Sequence, residues 1–153
     1  MSQTPNVLIP FLRQGCGLLE ETIGKIAAKW QVSPSELQIM LFLEQMPHLD
    51  TARDAAQYCG MSKASVSGHV LKLATRGLLT IDVDLKDRRF QHLALTERAE
   101  PILWDAHSAL KSFEEQLVKN LDAEEQLQFF SLLQKIYAAG SAAETMIDTG
   151  KDQ

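Results

Sequence analysis

Residues 55–67 read AAQYCGMSKASVS, and Gly60 divides this stretch into two unlike halves. Before it, Ala52, Ala55, Ala56 and Cys59 form the small apolar side of a short helix, with Asp50 or Thr51 as its cap. After it, Met61 bridges the turn and Ser62 caps a longer helix that runs from Lys63 to Arg76 and stops at Gly77. Gly60 stands where a left-handed helix end needs a residue without Cβ. Two helices joined by a turn of about three or four residues containing glycine make a helix-turn-helix. The alanines let the two helices cross closely.

Upstream, residues 1–9 read as a loose start. From Leu8 onward Leu12, Cys16, Leu19, Ile23, Ala27 and Trp30 recur at three- and four-residue steps, one face of a helix. Ser33 and Pro34 then supply a cap and a first-position proline, with Glu36 at the third position. Leu37, Met40, Leu41 and Leu43 carry this second helix until Pro47 ends it.

Downstream the period changes. Leu79, Ile81 and Val83 alternate with Thr80 and Asp82, and Gln91, Leu93 and Leu95 alternate with His92 and Ala94, so the spacing predicts a β-hairpin. Its loop, DLKDRRF at 84–90, holds three cations and two anions. Thr96 can cap a long helix beyond, with Pro101 in its first turn or at a kink. Ile102, Ala106, Ala109, Leu110, Phe113 and Leu117 line the apolar face of that helix. Asp122 to Glu125 opens a last helix with a capping box. Leu127, Phe129, Phe130, Leu132, Leu133, Ile136 and Tyr137 make that helix apolar nearly all round. It must be covered on more than one side, so it reads as packed against another subunit.

The chain has 153 residues, 45% hydrophobic and 23% charged, as expected of one soluble globular domain or of a small domain with an oligomerisation element. No apolar run reaches the ~18 residues that span a bilayer, and no leader pattern opens the chain. Two cysteines are too few for a disulfide scaffold. These features make the cytoplasm the expected location. The net charge is −5, yet residues 61–92 hold six cations against three anions, a local +3 that leaves −8 elsewhere. Salt screens charges beyond about 8–10 Å, so a local positive face governs contact with a polyanion.

On the helix after Ser62, Val66, Val70, Leu73 and Ala74 share the apolar face, while Ser65, His69, Lys72 and Arg76 follow four-, three- and four-residue steps outside it. That outer row has donors and cations and no acid, whereas solvated faces usually mix signs. With a helix-turn-helix before it and a cationic hairpin after it, the row reads as DNA-binding.

The run from Ala55 to Ser67, then Leu73 to Leu78, Asp84 to Arg89 and Leu93-Ala94-Leu95-Thr96 resembles the MarR family of bacterial transcriptional regulators. The wing pattern Asp-x-x-Asp-Arg-Arg followed by Leu-x-Leu-Thr is its most specific part. The resemblance implies a mainly α fold: a winged helix-turn-helix with a two-stranded β wing and long terminal dimerisation helices. Residues 1–32 would be the N-terminal part of the dimerisation region, 33–98 the DNA-binding domain and 99–153 the C-terminal dimerisation helices. It implies a homodimer that binds a pseudo-palindromic double-stranded operator and acts as a ligand- or stress-responsive repressor. Ser62, Lys63, Ser65, Ser67, His69, Lys72 and Arg76 would face the major groove. Arg89 would enter the minor groove, aimed by Asp87, with Lys86 and Arg88 on phosphates. The chain departs from the family pattern at Gly68, where many relatives carry arginine. Either backbones approach closely there, or base reading falls to Lys63, Ser65 and His69.

Relatives bind small phenolic or aromatic acids between the wing domain and the dimer helices, and Trp30, Met40 and Trp104 are the candidate lining here, with ordinary core packing as the alternative. Cys59 reads as a packed thiol. Cys16 stands about two turns later than the peroxide-sensing position of some relatives, with only Arg13 nearby to lower its pKa. His48, His69, His92 and His107 form no i, i+4 pair, so no metal site is expected, and no cofactor. No phosphate loop, nucleophile elbow or paired-acid motif suggests an enzyme. A dimeric winged-helix module working mainly through protein partners is the other reading; salt-sensitive DNA binding separates the two.

Overall fold

The computed structural model describes residues 8–87 and 90–148. In chain order the elements are α1 (Leu8–Trp30), α2 (Pro34–Gln45), α3 (Ala52–Cys59), α4 (Lys63–Thr75), β1 (Leu79–Val83), β2 (Gln91–Leu95), a 3-10 turn (Glu97–Ala99), α5 (Glu100–Val118) and α6 (Ala123–Asp148). Among the described residues, those up to Phe113 form one compact unit and those from Glu114 onward another.

Local chemistry sets most helix ends. α1 closes in a Schellman motif: Val32 N–H donates to Ala27 O, and Gln31 N–H to Ala28 O. Its left-handed residue is Gln31, at φ 55°, where glycine is usual. Ser33 and Glu36 form a reciprocal capping box on α2, and Thr51 and Asp54 form one on α3. Gly60 ends α3 at φ 65°, and Ser62 caps α4 by accepting from Ser65 N–H. Gly77, at φ 68°, turns the chain from α4 into β1.

α2 is the hub of the first unit. It packs against α1, α3, α4 and β2. Leu37, Ile39, Met40 and Phe42 are buried on all its sides, with Ala55, Val66, Val70, Leu73, Leu79, Leu93, Ile102 and Ala106 from the other elements around them. Burying each large aliphatic side chain contributes about 1.5–3 kcal/mol, so this cluster holds α4 and the hairpin in one frame.

The hairpin pairs antiparallel with Leu79 opposite Leu95, Ile81 opposite Leu93 and Val83 opposite Gln91. Leu79 and Leu93 are buried while Val83 is exposed, so the ribbon leaves the core as it runs to its loop. Leu93 N–H also donates to Asp50 O at 2.7 Å, which fastens the ribbon to the chain before α3. Thr96 differs from the sequence reading. Its hydroxyl donates to Gly77 O at 2.7 Å and makes no helix cap, because a 3-10 turn intervenes before α5. Pro101 lies in the first turn of α5. In the second unit, Asp122 and Glu125 make the expected reciprocal cap of α6.

Candidate nucleic-acid interface

α4 buries Val66, Val70 and Leu73. At about 100° per residue the face opposite that stripe is Ala64, Gly68, Leu71 and Thr75, all exposed. Lys63, Ser65, Ser67 and Lys72 are exposed beside it, and Ser62 stands at its N-terminal end. Ser67 Oγ donates back to Lys63 O at 2.9 Å. Leu71 is 63% exposed in the middle of this face, an apolar residue that the donor-and-cation reading passed over. Among the described residues a Cβ added at Gly68 would meet nothing within 4 Å, so none of them requires glycine there.

Two members of the predicted outer row meet other helices of the chain, Arg76 while exposed and His69 while partly buried. The guanidinium of Arg76 donates to Gln31 O at 2.7 Å and Trp30 O at 3.0 Å, and so completes the C-terminus of α1. His69 is turned toward α2, where its Nδ1 lies 3.5 Å from Glu36 Oε1 with no hydrogen-bond partner. Glu36, only 5% exposed, is the buried acid of the core; its other oxygen accepts from Ser33 N–H at 2.9 Å. The physical reason is lateral position. Ser65, His69, Lys72 and Arg76 trace one flank of α4, and the last turn of that flank abuts the corner between α1 and α2.

In the hairpin loop Asp84 does turn work. Its Oδ1 accepts from the backbone N–H of Lys86 at 2.6 Å and of Asp87 at 3.0 Å. These bonds, with His92, hold its carboxyl below the usual range. His92 joins the hairpin to the helix-turn-helix: Nδ1 lies 2.9 Å from Asp50 Oδ1, and Nε2 lies 3.2 Å from Asp84 Oδ2. Hydrogen bonding to Asp50, and next to Asp84, pushes the imidazole up from its ordinary value. Lys86 is exposed and Asp87 partly covered. Arg88 and Arg89 lie outside the described residues.

Residues 30–89, from the end of α1 to the hairpin loop, match the model of the MarR family. Over that stretch the chain resembles the MarR family. A MarR transcriptional regulator from Methanosarcina mazei Go1 shares the fold at TM-score 0.70 and 19% identity, covering 88% of this chain and 99% of that one. The S. aureus MepR–DNA complex is similar at TM-score 0.67 and 18% identity, over 84% and 93%. Bordetella bronchiseptica BpsR, described through regulation of its DNA binding by 6-hydroxynicotinic acid, is similar at TM-score 0.67 and 17% identity, over 86% and 99%.

The chain also holds a cavity of about 710 Å³ in its first unit. Cys16, Leu19, Glu20 and Ile23 of α1 form one wall, Pro34 to Gln45 of α2 another, and Tyr58, Cys59 and Leu110 close it. Tyr58 packs on Phe42 with the rings tilted by 37° and their centroids 4.8 Å apart. Both cysteines therefore face one space, which their separation in sequence did not suggest. Burial pushes the Cys59 thiol up. Trp30, Met40 and Trp104 do not line this cavity. Met40 is fully buried in the core, Trp104 is 70% exposed, and the Trp30 indole N–H donates to Asp105 at 2.8 Å. No three His, Cys, Asp or Glu side chains group to hold a metal ion among the described residues. No helix among them is long and apolar enough to cross a membrane.

Proposed function

We propose that this protein is a homodimeric, sequence-specific regulator of transcription that binds a pseudo-palindromic DNA duplex and represses until an effector binds. The observation that carries the reading is the acid-free exposed face of α4, between a helix-turn-helix turn and a hairpin whose loop is rich in cations. Lys63, Ser65, Ser67 and Lys72 supply donors to bases and phosphates, and Leu71 supplies apolar contact for thymine methyls. Lys86 and Arg88 serve as phosphate contacts and Arg89 as the minor-groove reader, aimed by Asp87. The MepR complex with DNA supports this use of the fold.

Dimerisation rests on apolar surface. Leu127, Phe130, Leu132, Leu133 and Ile136 of α6 stand exposed, as do Ile9, Phe11, Leu12, Leu18 and Leu19 of α1. Exposed patches this extensive mark interaction sites. The effector reading rests on the cavity, whose volume falls within the ~300–1,000 Å³ of ligand sites. Its lining holds one carboxylate, two amides, a phenol and two thiols, with no cation. Within the aromatic and phenolic class it therefore favours a neutral phenol over an acid.

The test is selection of duplexes from a random-sequence pool, followed by titration at several salt concentrations. The expected result is an enriched inverted repeat with half-sites about one turn (10–10.5 base pairs) apart, bound by a dimer. Affinity should fall steeply with salt as counterions are released. No enrichment, or a flat salt response, would favour a module that works through protein partners. Sedimentation showing a stable, folded monomer at micromolar concentration would remove the dimer.

A further inference from the structure

We propose that His92 is a positioning residue for DNA binding: charged, it clasps Asp50 and Asp84 together and so holds the hairpin at a set angle to the helix-turn-helix. The proposal rests on the DNA-binding reading above. Asp50 belongs to the loop before α3, and Asp84 anchors the hairpin loop through the amides of Lys86 and Asp87. One imidazole thus spans the two parts of the interface, with Nδ1 on the first carboxylate and Nε2 on the second.

Proton counting makes the clasp conditional. A carboxylate only accepts, so each ring nitrogen must donate. A neutral imidazole carries one N–H, which leaves a bare nitrogen facing a carboxylate oxygen. Only the imidazolium satisfies both sides. The groups around it favour that form: Asp50 from the loop before α3, Asp84 from the end of β1, and Asp82 directly across the strand pair. The acids of the neighbouring helices are engaged elsewhere. Glu36 faces Ser33 and His69, Glu44 faces His107, and Asp54 faces Thr51. Arg53 of α3 is exposed. The imidazole is accordingly held above its ordinary range. A folded-state value raised in this way means the clasp is complete below the ordinary histidine range and is lost as pH rises through the raised value.

The experiment follows the His92 ring and the backbone amides of 84–87 by NMR across pH in the free protein. Beside this, wild type, His92→Gln, His92→Lys and Asp50→Asn are titrated against a duplex that wild type selects at about pH 6. Wild-type affinity is expected to fall about three- to tenfold between about pH 6 and pH 8.5, as the imidazole loses its charge. His92→Lys, a fixed cation with three donors, should bind at the low-pH level throughout. His92→Gln and Asp50→Asn should bind at the weaker level with a flattened pH slope, and Asp50→Asn should bring the His92 titration down toward the ordinary range. An unshifted His92 with unmoved hairpin amides would overturn the clasp. So would a pH slope that survives Asp50→Asn, since His92 would then act on DNA without its partner. If wild type selects no duplex at all, the DNA-binding reading falls, and the ring titration and hairpin amides still decide whether the clasp exists.

Discussion

Arg76, the residue after α4, donates its guanidinium to the backbone carbonyl of Gln31, the left-handed residue that closes α1. The end of the helix proposed to meet DNA is thereby tied to the end of the first helix, 45 residues away in sequence. A second donor arm on Trp30 O makes the tie bidentate. The charge also suits the negative end of the α1 dipole.

Replacing Arg76 therefore tests structure against charge. Arg76→Ala should lower folding stability by about 1 kcal/mol, the exposed end of the range for such hydrogen bonds, measured by urea unfolding. The slope of log affinity against log salt should stay as in wild type. Unchanged stability with a slope reduced by about one unit would instead make Arg76 a phosphate contact.

Gly68 invites the opposite experiment. No described residue crowds its Cβ position, so Gly68→Ala should raise stability by about 1 kcal/mol through helix propensity. Unchanged DNA affinity would accompany an open face. A loss of affinity with the gain in stability would locate close DNA backbone at this turn of α4.

Glu36 is buried, with one oxygen engaged in the cap of α2 and the other 3.5 Å from His69 Nδ1. Glu36→Ala removes half of a capping box and leaves Ser33 N–H without its acceptor, at a cost of about 1–2 kcal/mol. Glu36→Gln keeps an acceptor for Ser33 and should cost less than the alanine variant. Equal losses in thermal or urea unfolding would show that the charge, and not the cap, matters.

The hairpin loop should be most ordered in a pH window with two edges. Asp84 is depressed by the amides of Asp87 and Lys86 and by His92, so its contribution is present above its unfolded value and lost as pH falls through the folded one. His92 is raised, so its contribution is lost as pH climbs through its folded value. Hydrogen exchange at Lys86 and Asp87 should be slowest between these edges and quicken on both sides. Monotonic protection, after correction for intrinsic exchange, would exclude one of the two groups.

The two arginines of the 84–90 stretch should differ in kind. Arg89→Ala should weaken binding and relax preference for A·T-rich flanks, since a narrow minor groove attracts such a side chain. Arg88→Ala should weaken all duplexes alike and flatten the salt slope by roughly one unit. Asp87→Ala should resemble a weaker Arg89→Ala. Titration against matched and flank-swapped duplexes separates these roles, and equal losses for both arginines would mean charge without discrimination.

Most helix ends and the strand pairing were legible in the residues themselves, because caps and alternation are local chemistry; Thr96 and Gln31 were the exceptions. Ser33, Ser62, Gly60, Gly77 and Asp122 each act within one turn of chain, so their types predict their work. The apolar stripe of α4 was equally plain. Its flanks were not. Periodicity separates buried from exposed, but which partners Arg76 and His69 find depends on which helices lie beside them, and α1 and α2 are set there by tertiary packing. The Asp50–His92–Asp84 clasp spans 42 residues on one side, and no spacing rule reaches that far. The cavity is the same case: Cys16 and Cys59 come to one space only because α1 and α3 both pack on α2. Backbone chemistry acts over a few residues and can be read in order, whereas side-chain partners are chosen in space by the fold as a whole.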